Sequence, residues 1–148
     1  MQRRVFLFGI GGAAALAASG YVFTRPAEAE TQMTPPQVHQ ALMENKVILI
    51  DVRRPDEWAG TGIAQGAVPL DMREDTFVES VRATMSANPD RPVALICARG
   101  VRSRRVAARL ALAGITQVID VPEGMLGSAA GQGWIARGLP LDHRFSES

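Results

Sequence analysis

The chain of 148 residues contains a single cysteine, Cys97, which begins the segment CARGVRS at residues 97–103. A thiol becomes a strong nucleophile as the thiolate, and nearby cations and backbone N–H donors favour that form. The segment supplies cations, and its glycine permits a tight loop. We therefore interpret Cys97 as a candidate nucleophile. The rest of the segment is its candidate binding loop: Ala98, Arg99, Gly100, Val101, Arg102 and Ser103.

A structural interpretation of Cys97 is also open, because the residue ends the apolar run VALIC and could serve only as a small buried side chain. The arginines favour chemistry. Arg102, Arg104 and Arg105 are expected in the first turn of a helix, where the helix dipole disfavours each exposed cation by roughly 0.3–1 kcal/mol. An anion bound in the loop would offset this cost, with Arg99 and Arg102 as the donors.

Short apolar runs alternate with segments of helical spacing, which predicts an α/β fold with a central, mainly parallel sheet and helices on both faces. In such sheets ligands bind at the carboxyl ends of the strands, where Cys97 falls. The expected strands are residues 47–53, 67–72, 93–97 and 116–121. The expected helical segments are a helix from a Thr34 cap to Asn45, a short turn over 55–60, and helices over 75–87 and 102–114. We expect residues 139–148 to form a peripheral extension.

The first 29 residues have the pattern of an export signal, with a basic start, an apolar middle and a small-residue cleavage site. Arg3 and Arg4 precede an uncharged stretch over residues 5–24, and Ala27-Glu28-Ala29 supplies the cleavage site. The arginine pair is typical of twin-arginine signals, with Sec export as the alternative. We predict a signal peptide over 1–29 and a periplasmic location. An uncleaved stretch would instead anchor the chain in a membrane.

Cleavage would leave residues 30–148, which is the length of one domain. It would also remove three arginines and one glutamate, so that the net charge of +1 becomes a slight acidic excess. This balance provides no basic field, and we therefore expect no nucleic-acid partner. In an oxidising compartment one cysteine cannot form an internal disulfide, so Cys97 must be buried or used.

Four segments resemble the rhodanese family, and together they span nearly all of residues 33–142. They are LIDVRRPDEWAGTG, QGAVPLDM, RPVALICARGVRSRRVAARLALAG and VPEGMLGSAAGQGWIARGLPL. The loop from Cys97 to Arg102 has the six-residue length of the sulfurtransferases rather than the longer loop of their phosphatase and arsenate-reductase relatives. The resemblance is greatest to single-domain, exported bacterial proteins, so residues 30–148 are expected to form one rhodanese-like domain.

The resemblance implies a thiosulfate:cyanide type of sulfurtransferase that carries sulfur as a persulfide on Cys97. The thiolate would take the outer sulfur of a donor such as thiosulfate, and sulfite would leave. Cyanide or a thiol, which could belong to a protein, would then accept the sulfur. This cycle needs no metal and no organic cofactor. We expect the protein to be a monomer.

Asp51 and Arg53 match an Asp-x-Arg pattern of the family at the end of its first strand. Together with Glu57 they are expected to form a buried ion-pair network that supports the loop without touching substrate. Trp58 and Trp134 are expected to pack in the core or at its rim.

Other positions bear on the site less directly. Ile63 stands where many family members have a histidine, in the segment GIAQGA at residues 62–67. His39 and His143 are predicted at the surface. The turn Glu123-Gly124-Met125 resembles one that lies beside the active-site mouth in the family and could shape access to it.

Two alternatives remain open at the level of sequence. One is a slow sulfur-carrier or sensing module that binds a partner protein without efficient turnover. The other is a phosphatase or arsenate reductase. A phosphatase loop requires a cysteine, five intervening residues and an arginine, and here Ser103 occupies that last position.

Overall fold

The computed structural model describes residues 31–145, so the predicted export signal lies outside the described residues. In chain order the elements are α1 (Pro35–Met43), β1 (Ile48–Asp51), α2 (Pro55–Thr61), β2 (Ile63–Ala64), β3 (Val68–Pro69), α3 (Phe77–Ser86), β4 (Val93–Ile96), α4 (Val101–Leu112), β5 (Val118–Asp120), α5 (Gly133–Ala136) and β6 (Leu141–Asp142). Within this range no helix combines the length and the apolar character needed to cross a bilayer.

The central sheet has four parallel strands in the order β3-β1-β4-β5. Its two middle strands, β1 and β4, are fully buried, because apolar clusters cover both faces of the sheet. Along β4 the side chains alternate between these clusters, with Ala94 and Ile96 in one and Val93, Leu95 and Cys97 in the other. The α/β class with a parallel sheet is therefore confirmed.

Each face of the sheet is covered by its own helices. Val38 of α1 and Trp134 of α5 belong to one cluster, whereas Phe77 of α3 and Leu110 of α4 belong to the other. Cys97 lies on the side of α3 and α4 and continues that core at the carboxyl end of β4.

The predicted elements are present, most of them shorter by one to three residues at their ends. The largest difference is β3, which has two residues in place of the predicted strand over 67–72. The helix after Cys97 begins at Val101 instead of residue 102, so Arg105 lies beyond the first turn. Helix α5 was not predicted, because its four residues are too few to show a helical period.

The prediction of a peripheral tail from residue 139 is wrong for its first part. Leu141 and Asp142 form β6, which pairs antiparallel with Ala64 and Ile63 of β2, a segment outside the expected strands. Trp134 Nε1 also donates to the Pro140 carbonyl at 2.9 Å. These contacts join the tail to the core.

The turn that follows β5 holds the loop that follows β4. Met125 N–H donates to the Cys97 carbonyl at 2.8 Å, and Leu126 N–H donates to the Ala98 carbonyl at 2.9 Å. Gly124 between β5 and these donors has a positive φ of 68°. A Cβ built there would lie 2.4 Å from the Ala98 carbonyl oxygen, so only glycine allows the two backbones to approach so closely.

Gly124→Ala is therefore expected to destabilise the fold by about 3 kcal/mol or more, since it adds a backbone clash to the cost of a left-handed alanine. Gly138→Ala is the matched control. Gly138 has a nearly identical φ of 67° but nothing within 4 Å of the added atom, so it should lose only about 1–2 kcal/mol. Urea unfolding measures both. Equal losses would show that the close approach to Ala98 is not a constraint.

Candidate active site

Cys97 sits at the bottom of a short loop between β4 and α4. Its side chain is almost fully buried, and it is a free cysteine. The Gly100 N–H donates to Cys97 Sγ at 3.1 Å, and the Ser103 hydroxyl oxygen lies 3.6 Å from the same sulfur. The sulfur thus has a backbone donor and a hydroxyl group as direct neighbours. Cys97 directly follows a core strand and also faces polar groups, so its position is compatible with the structural and with the chemical interpretation.

Gly100 makes the tight loop geometrically allowed. It is the N-cap of α4 with φ 80° and ψ −14°, which is the left-handed conformation. An added Cβ would lie 2.2 Å from the Pro122 carbonyl oxygen, so the backbone of the neighbouring turn occupies the space of a side chain. The first N–H groups of α4 have no acceptor within the helix, and its positive dipole end points toward the loop. This end of α4 favours an anion near Cys97.

Arg102 has a carboxylate partner. Its Nη1 and Nη2 donate to Glu57 Oε2 and Oε1, each at 2.6 Å, in a bidentate pair. These bonds, the largest effect, lower the pKa of Glu57 to about 2 and outweigh the opposing effect of burial. Sequence analysis expected a bound anion to stabilise the cations in the first turn of the helix. In this structure the partner of Arg102 is the Glu57 carboxylate. A bidentate pair uses two of the five guanidinium N–H groups, which leaves others for an anion.

The predicted ion-pair network is correct for Asp51 and Arg53 and wrong for the Glu57 side chain. Arg53 is fully buried and donates from Nε and Nη2 to both Asp51 oxygens at 2.7–3.0 Å. It meets Glu57 only through a long 3.5 Å contact with the backbone carbonyl. The reason is the direction of α2, which places Arg53 against its C-terminal end, at Thr61 and Gly62.

The other loop residues divide between the interior and the surface. Ser103 is fully buried, and its hydroxyl also donates to the Gly100 carbonyl at 3.2 Å. Ala98 is buried, and Val101 is half exposed. Arg99 is exposed and has one weak contact, 3.4 Å from Nη1 to the Gly127 carbonyl.

Arg104 and Arg105 are exposed on α4, as solvent-facing residues would be. His143 is exposed as predicted, whereas the prediction of a surface position is wrong for His39. His39 is half-buried because its ring packs edge-on against Trp134, with 5.8 Å between the ring centroids. Trp134 is fully buried and Trp58 nearly so, which confirms the packing roles expected for them.

Two carboxyl groups near the loop are buried, Asp120 and Glu123. Sequence analysis missed Asp120 and named Glu123 only as part of a turn beside the active-site mouth. Glu123 accepts from the Gly133 N–H and from Arg137, and the hydrogen bonds from Arg137 are the main cause of its lowered pKa. These bonds brace the turn that holds the loop. Asp120 is the last residue of β5, next to β4 in the sheet. Their position in the sequence could have indicated a role at the site, because acidic residues at the carboxyl end of a buried parallel strand face the site.

The chain was compared with known sequences. The family described as "Rhodanese-like domain" matches residues 34–130. A thiosulfate sulfurtransferase, GlpE of Actinobacillus succinogenes, is 29% identical over 117 residues, which are 76% of this chain and 90% of that protein. A tRNA uridine(34) hydroxylase of Synechocystis sp. is 31% identical over 97 residues, or 65% of this chain. The chain spans only 34% of the length of that hydroxylase.

Solved structures agree with the sequence comparison. The crystal structure of Rv0390 from M. tuberculosis has a TM-score of 0.58 and 30% identity, covering 76% of this chain and 96% of that one. The rhodanese-like domain of the Anabaena sp. protein Alr3790 has a TM-score of 0.57 at 18% identity, covering 80% and 83% of the two chains, and it supports the fold alone. The matched region contains the whole loop from Cys97 to Ser103, and the chain belongs to the rhodanese-like domain family.

Proposed function

We propose that this chain is an exported sulfurtransferase that moves sulfane sulfur from a donor such as thiosulfate to a thiophilic acceptor through a persulfide on Cys97. One observation carries the proposal: Cys97 Sγ receives the Gly100 N–H at the start of α4, with the Arg102 guanidinium near the same loop. Donors fixed in this way stabilise negative charge on sulfur in each step of transfer. The likeness to GlpE, named a thiosulfate sulfurtransferase, supports the same chemistry.

The cycle has two displacement steps at sulfur. The Cys97 thiolate attacks the outer sulfur of thiosulfate, a new S–S bond forms, and the sulfur–sulfur bond of thiosulfate breaks. Sulfite leaves with the electron pair. A cyanide ion or a thiolate then attacks the outer sulfur of the persulfide, and the Cys97 thiolate leaves. No metal and no organic cofactor takes part, because the persulfide is the carried group.

A second function is favoured by the Glu57–Arg102 pair. A guanidinium that already binds a carboxylate attracts an external dianion less strongly. The domain would then be a slow carrier or sensor that exchanges sulfur with the thiol of a partner protein. Fast exchange with a protein thiol beside slow transfer to cyanide would indicate this function. Turnover of an aryl phosphate dependent on Cys97 would instead indicate a phosphatase, a function that Ser103 in the arginine position disfavours.

Cys97→Ser is expected to abolish transfer of sulfur from thiosulfate to cyanide, because a serine hydroxyl does not form a persulfide. Incubation of the wild-type chain with thiosulfate should add the mass of one sulfur atom to the peptide that contains Cys97, and the variant should stay unmodified. Mass spectrometry and a thiocyanate assay measure the two effects. Retained transfer in the variant, or an unmodified wild-type peptide, would reject the proposal.

Glu57→Gln is expected to lower the KM for thiosulfate several-fold, because it removes the negative charge that occupies Arg102. The same change should destabilise the fold at neutral pH by about 1–2 kcal/mol through loss of the ion pair. The folded pKa of Glu57 lies below its ordinary value of 4.5, so the pair stabilises the fold above pH 4.5. The difference in unfolding free energy should shrink as the pH falls from 4.5 toward about 2.

Steady-state kinetics and urea unfolding at several pH values test these effects of Glu57→Gln. Glu79→Gln, at an exposed position of α3, is the control for loss of one carboxylate. It should leave KM unchanged and should cost less stability than Glu57→Gln, since it loses only a helix-dipole interaction of roughly 0.3–1 kcal/mol. If both variants have the wild-type KM, the carboxylate of Glu57 does not limit access of an anion to Arg102.

Export is the remaining component of the proposal. In a bacterial host, the chain should be found in the periplasm with Glu30 as its first residue. Replacement of Arg3 and Arg4 by lysine should block export if the twin-arginine route carries it, and should have little effect on the Sec route. Cell fractionation and mass spectrometry of the recovered chain give the location and the first residue. A full-length chain confined to the cytoplasm would contradict the proposal.

A further inference from the structure

Large apolar side chains are exposed around the Cys97 loop. Four such side chains are exposed among residues 31–145, and three of them lie in this region. Val101 begins α4, Leu112 ends it, and Leu126 lies in the turn that holds the loop. The fourth, Met43, ends α1 on the opposite face of the sheet. Apolar side chains gathered in one region, rather than scattered singly, indicate a contact surface.

The arginines of the same region have no acidic partner within residues 31–145. Arg104 and Arg105 are exposed and make no side-chain hydrogen bond or ion pair in that range, and Arg99 has only its weak contact with the Gly127 carbonyl. Helix α4 itself contains no acidic residue. Six other arginines form ion pairs with carboxylates: Arg53, Arg54, Arg73, Arg102, Arg137 and Arg144. The fold therefore leaves this positive charge without a carboxylate in contact.

The exposed arginines and apolar side chains adjoin one another at the loop. Arg99, Val101 and Arg104 line one cavity of about 390 Å³. On its other side, the Arg99 guanidinium reaches the carbonyl of Gly127, the residue after Leu126. The loop, the start of α4 and the turn after β5 thus share one surface.

Helix α4 extends this surface away from the loop. Positions 105 and 112 follow Val101 by four and eleven residues, which places all three within about 40° of one another around the helix. We call the whole surface the basic face. It consists of Arg99, Val101, Arg104, Arg105, Leu112 and Leu126.

One carboxyl group, that of Asp120, also lines the cavity of the basic face. Asp120 is 8% exposed and makes no ion pair with Arg99 or Arg104 among the residues that the structure describes. Burial, the largest effect, raises the pKa of this carboxyl group, and the charge of Arg104 opposes the increase. The exposed guanidinium groups therefore determine the charge that a partner meets.

The position of Arg104 favours a contact outside the fold. Arg104 lies in the first turn of α4, where the helix dipole disfavours a cation and would favour a carboxylate. The helix therefore gains no dipole stabilisation from this guanidinium. Carboxylates on a partner would supply charge-assisted hydrogen bonds that the chain itself does not.

We propose that the basic face binds a protein whose surface combines acidic and apolar side chains, and whose thiol accepts sulfur from Cys97. Arginine and apolar side chains are typical of protein interfaces. The 12 residues of α4 extend for about 18 Å, which is more than a small acid covers. Because the Cys97 side chain is almost fully buried, the partner's thiol must lie on a projecting segment. A lipid surface also carries negative charge, but it offers no thiol.

The transfer is the second step of the proposed cycle, with this protein as the acceptor. The partner's thiolate attacks the outer sulfur of the persulfide, and a new S–S bond forms. The bond between that sulfur and Cys97 Sγ breaks, and the Cys97 thiolate leaves with the electron pair.

Binding is tested without sulfur transfer, using the Cys97→Ser protein and two fluorescent peptides of equal length. Both peptides contain leucines and a serine in place of the thiol residue, and they differ only in having glutamates or glutamines. Fluorescence anisotropy should show the glutamate peptide binding about tenfold more tightly at low salt, since several exposed ion pairs form. Added salt should reduce this preference. Equal affinity for the two peptides would overturn the inference.

Charge reversal locates the binding surface. Arg105→Glu should weaken binding of the glutamate peptide several-fold, and the double variant Arg104→Glu/Arg105→Glu should abolish the preference for it. Lys46→Glu is the matched control for Arg105→Glu, because it makes the same charge change at an exposed position after α1. It should keep the preference. Equal effects of Arg105→Glu and Lys46→Glu would contradict the assignment to α4.

The apolar part and the integrity of the fold have their own tests. Leu112→Ser should weaken binding of both peptides, because both carry leucines, and unchanged binding of both would exclude Leu112 from the interface. Arg104→Glu puts a carboxylate in the first turn of α4, so the urea midpoint should not fall. Loss of binding in the charge-reversal variants is then not a consequence of unfolding.

Two other occupants of the basic face would overturn the inference. Sedimentation with phosphatidylglycerol vesicles tests a lipid surface, and analytical ultracentrifugation tests a second copy of the chain. Vesicle binding or dimer formation that is lost in Arg104→Glu/Arg105→Glu, with no preference between the peptides in the parent protein, would assign the face to that occupant instead.

The inference rests on the proposed function in taking Cys97 as the source of sulfur, but the anisotropy measurement does not. If thiosulfate leaves no persulfide while the glutamate peptide binds as expected, the proposed function fails and the docking surface stands. If sulfur reaches cyanide and the peptides bind equally, the docking surface fails and the proposed function stands. With both intact, a cysteine version of the glutamate peptide should accept sulfur from the Cys97 persulfide faster than its glutamine counterpart.

Discussion

The close backbone contact between two loops is the constraint on which the site depends. The turn after β5 donates two N–H groups to the carbonyls of Cys97 and Ala98. Those bonds orient the peptide groups at the start of the loop, and the Gly100 N–H then reaches Cys97 Sγ. The parallel sheet makes this possible, because it brings the carboxyl ends of β4 and β5 side by side. The Cys97 sulfur is therefore positioned mainly by backbone atoms.

Charge at the site is arranged in pairs around this backbone. Arg53 is neutralised by Asp51 below the loop, and Arg102 is neutralised by Glu57 near the mouth. Arg137 pairs with Glu123 in the turn that holds the loop. The Asp51–Arg53 pair is fully buried, so either of its charges without the partner would cost several kcal/mol. Asp120 departs from this pattern, because it is buried and its Oδ1 has no hydrogen-bond partner among residues 31–145.

Strong patterns in the sequence predicted the fold well. The apolar run before Cys97 and the long amphipathic helix after it are each determined by local composition, and both are present in the structure. The pairing of β2 with β6 could not be predicted, because two-residue strands carry no period and their partners lie far apart in the chain. The Cys97 loop was recognised as a unit because all its residues are consecutive.

The side-chain partners were harder to predict than the elements. The family resemblance grouped Glu57 with Asp51 and Arg53 and did not predict that Glu57 would face Arg102, which the direction of α2 decides. Glu57 and Arg102 are distant in sequence, and only the folded chain brings them together.

The pairing of Arg102 also explains how a loop with so many arginines can suit a group as small as one sulfur atom. A phosphate site needs several donors free to surround a dianion. Here Glu57 occupies part of the Arg102 guanidinium, the Ser103 hydroxyl donates to the Gly100 carbonyl, and Arg104 and Arg105 face solvent. The donor left at the sulfur itself is the Gly100 N–H. Together with the positive end of the α4 dipole, this donor can stabilise a single negative charge on sulfur, which is the charge that the thiolate and the persulfide of the proposed cycle would carry.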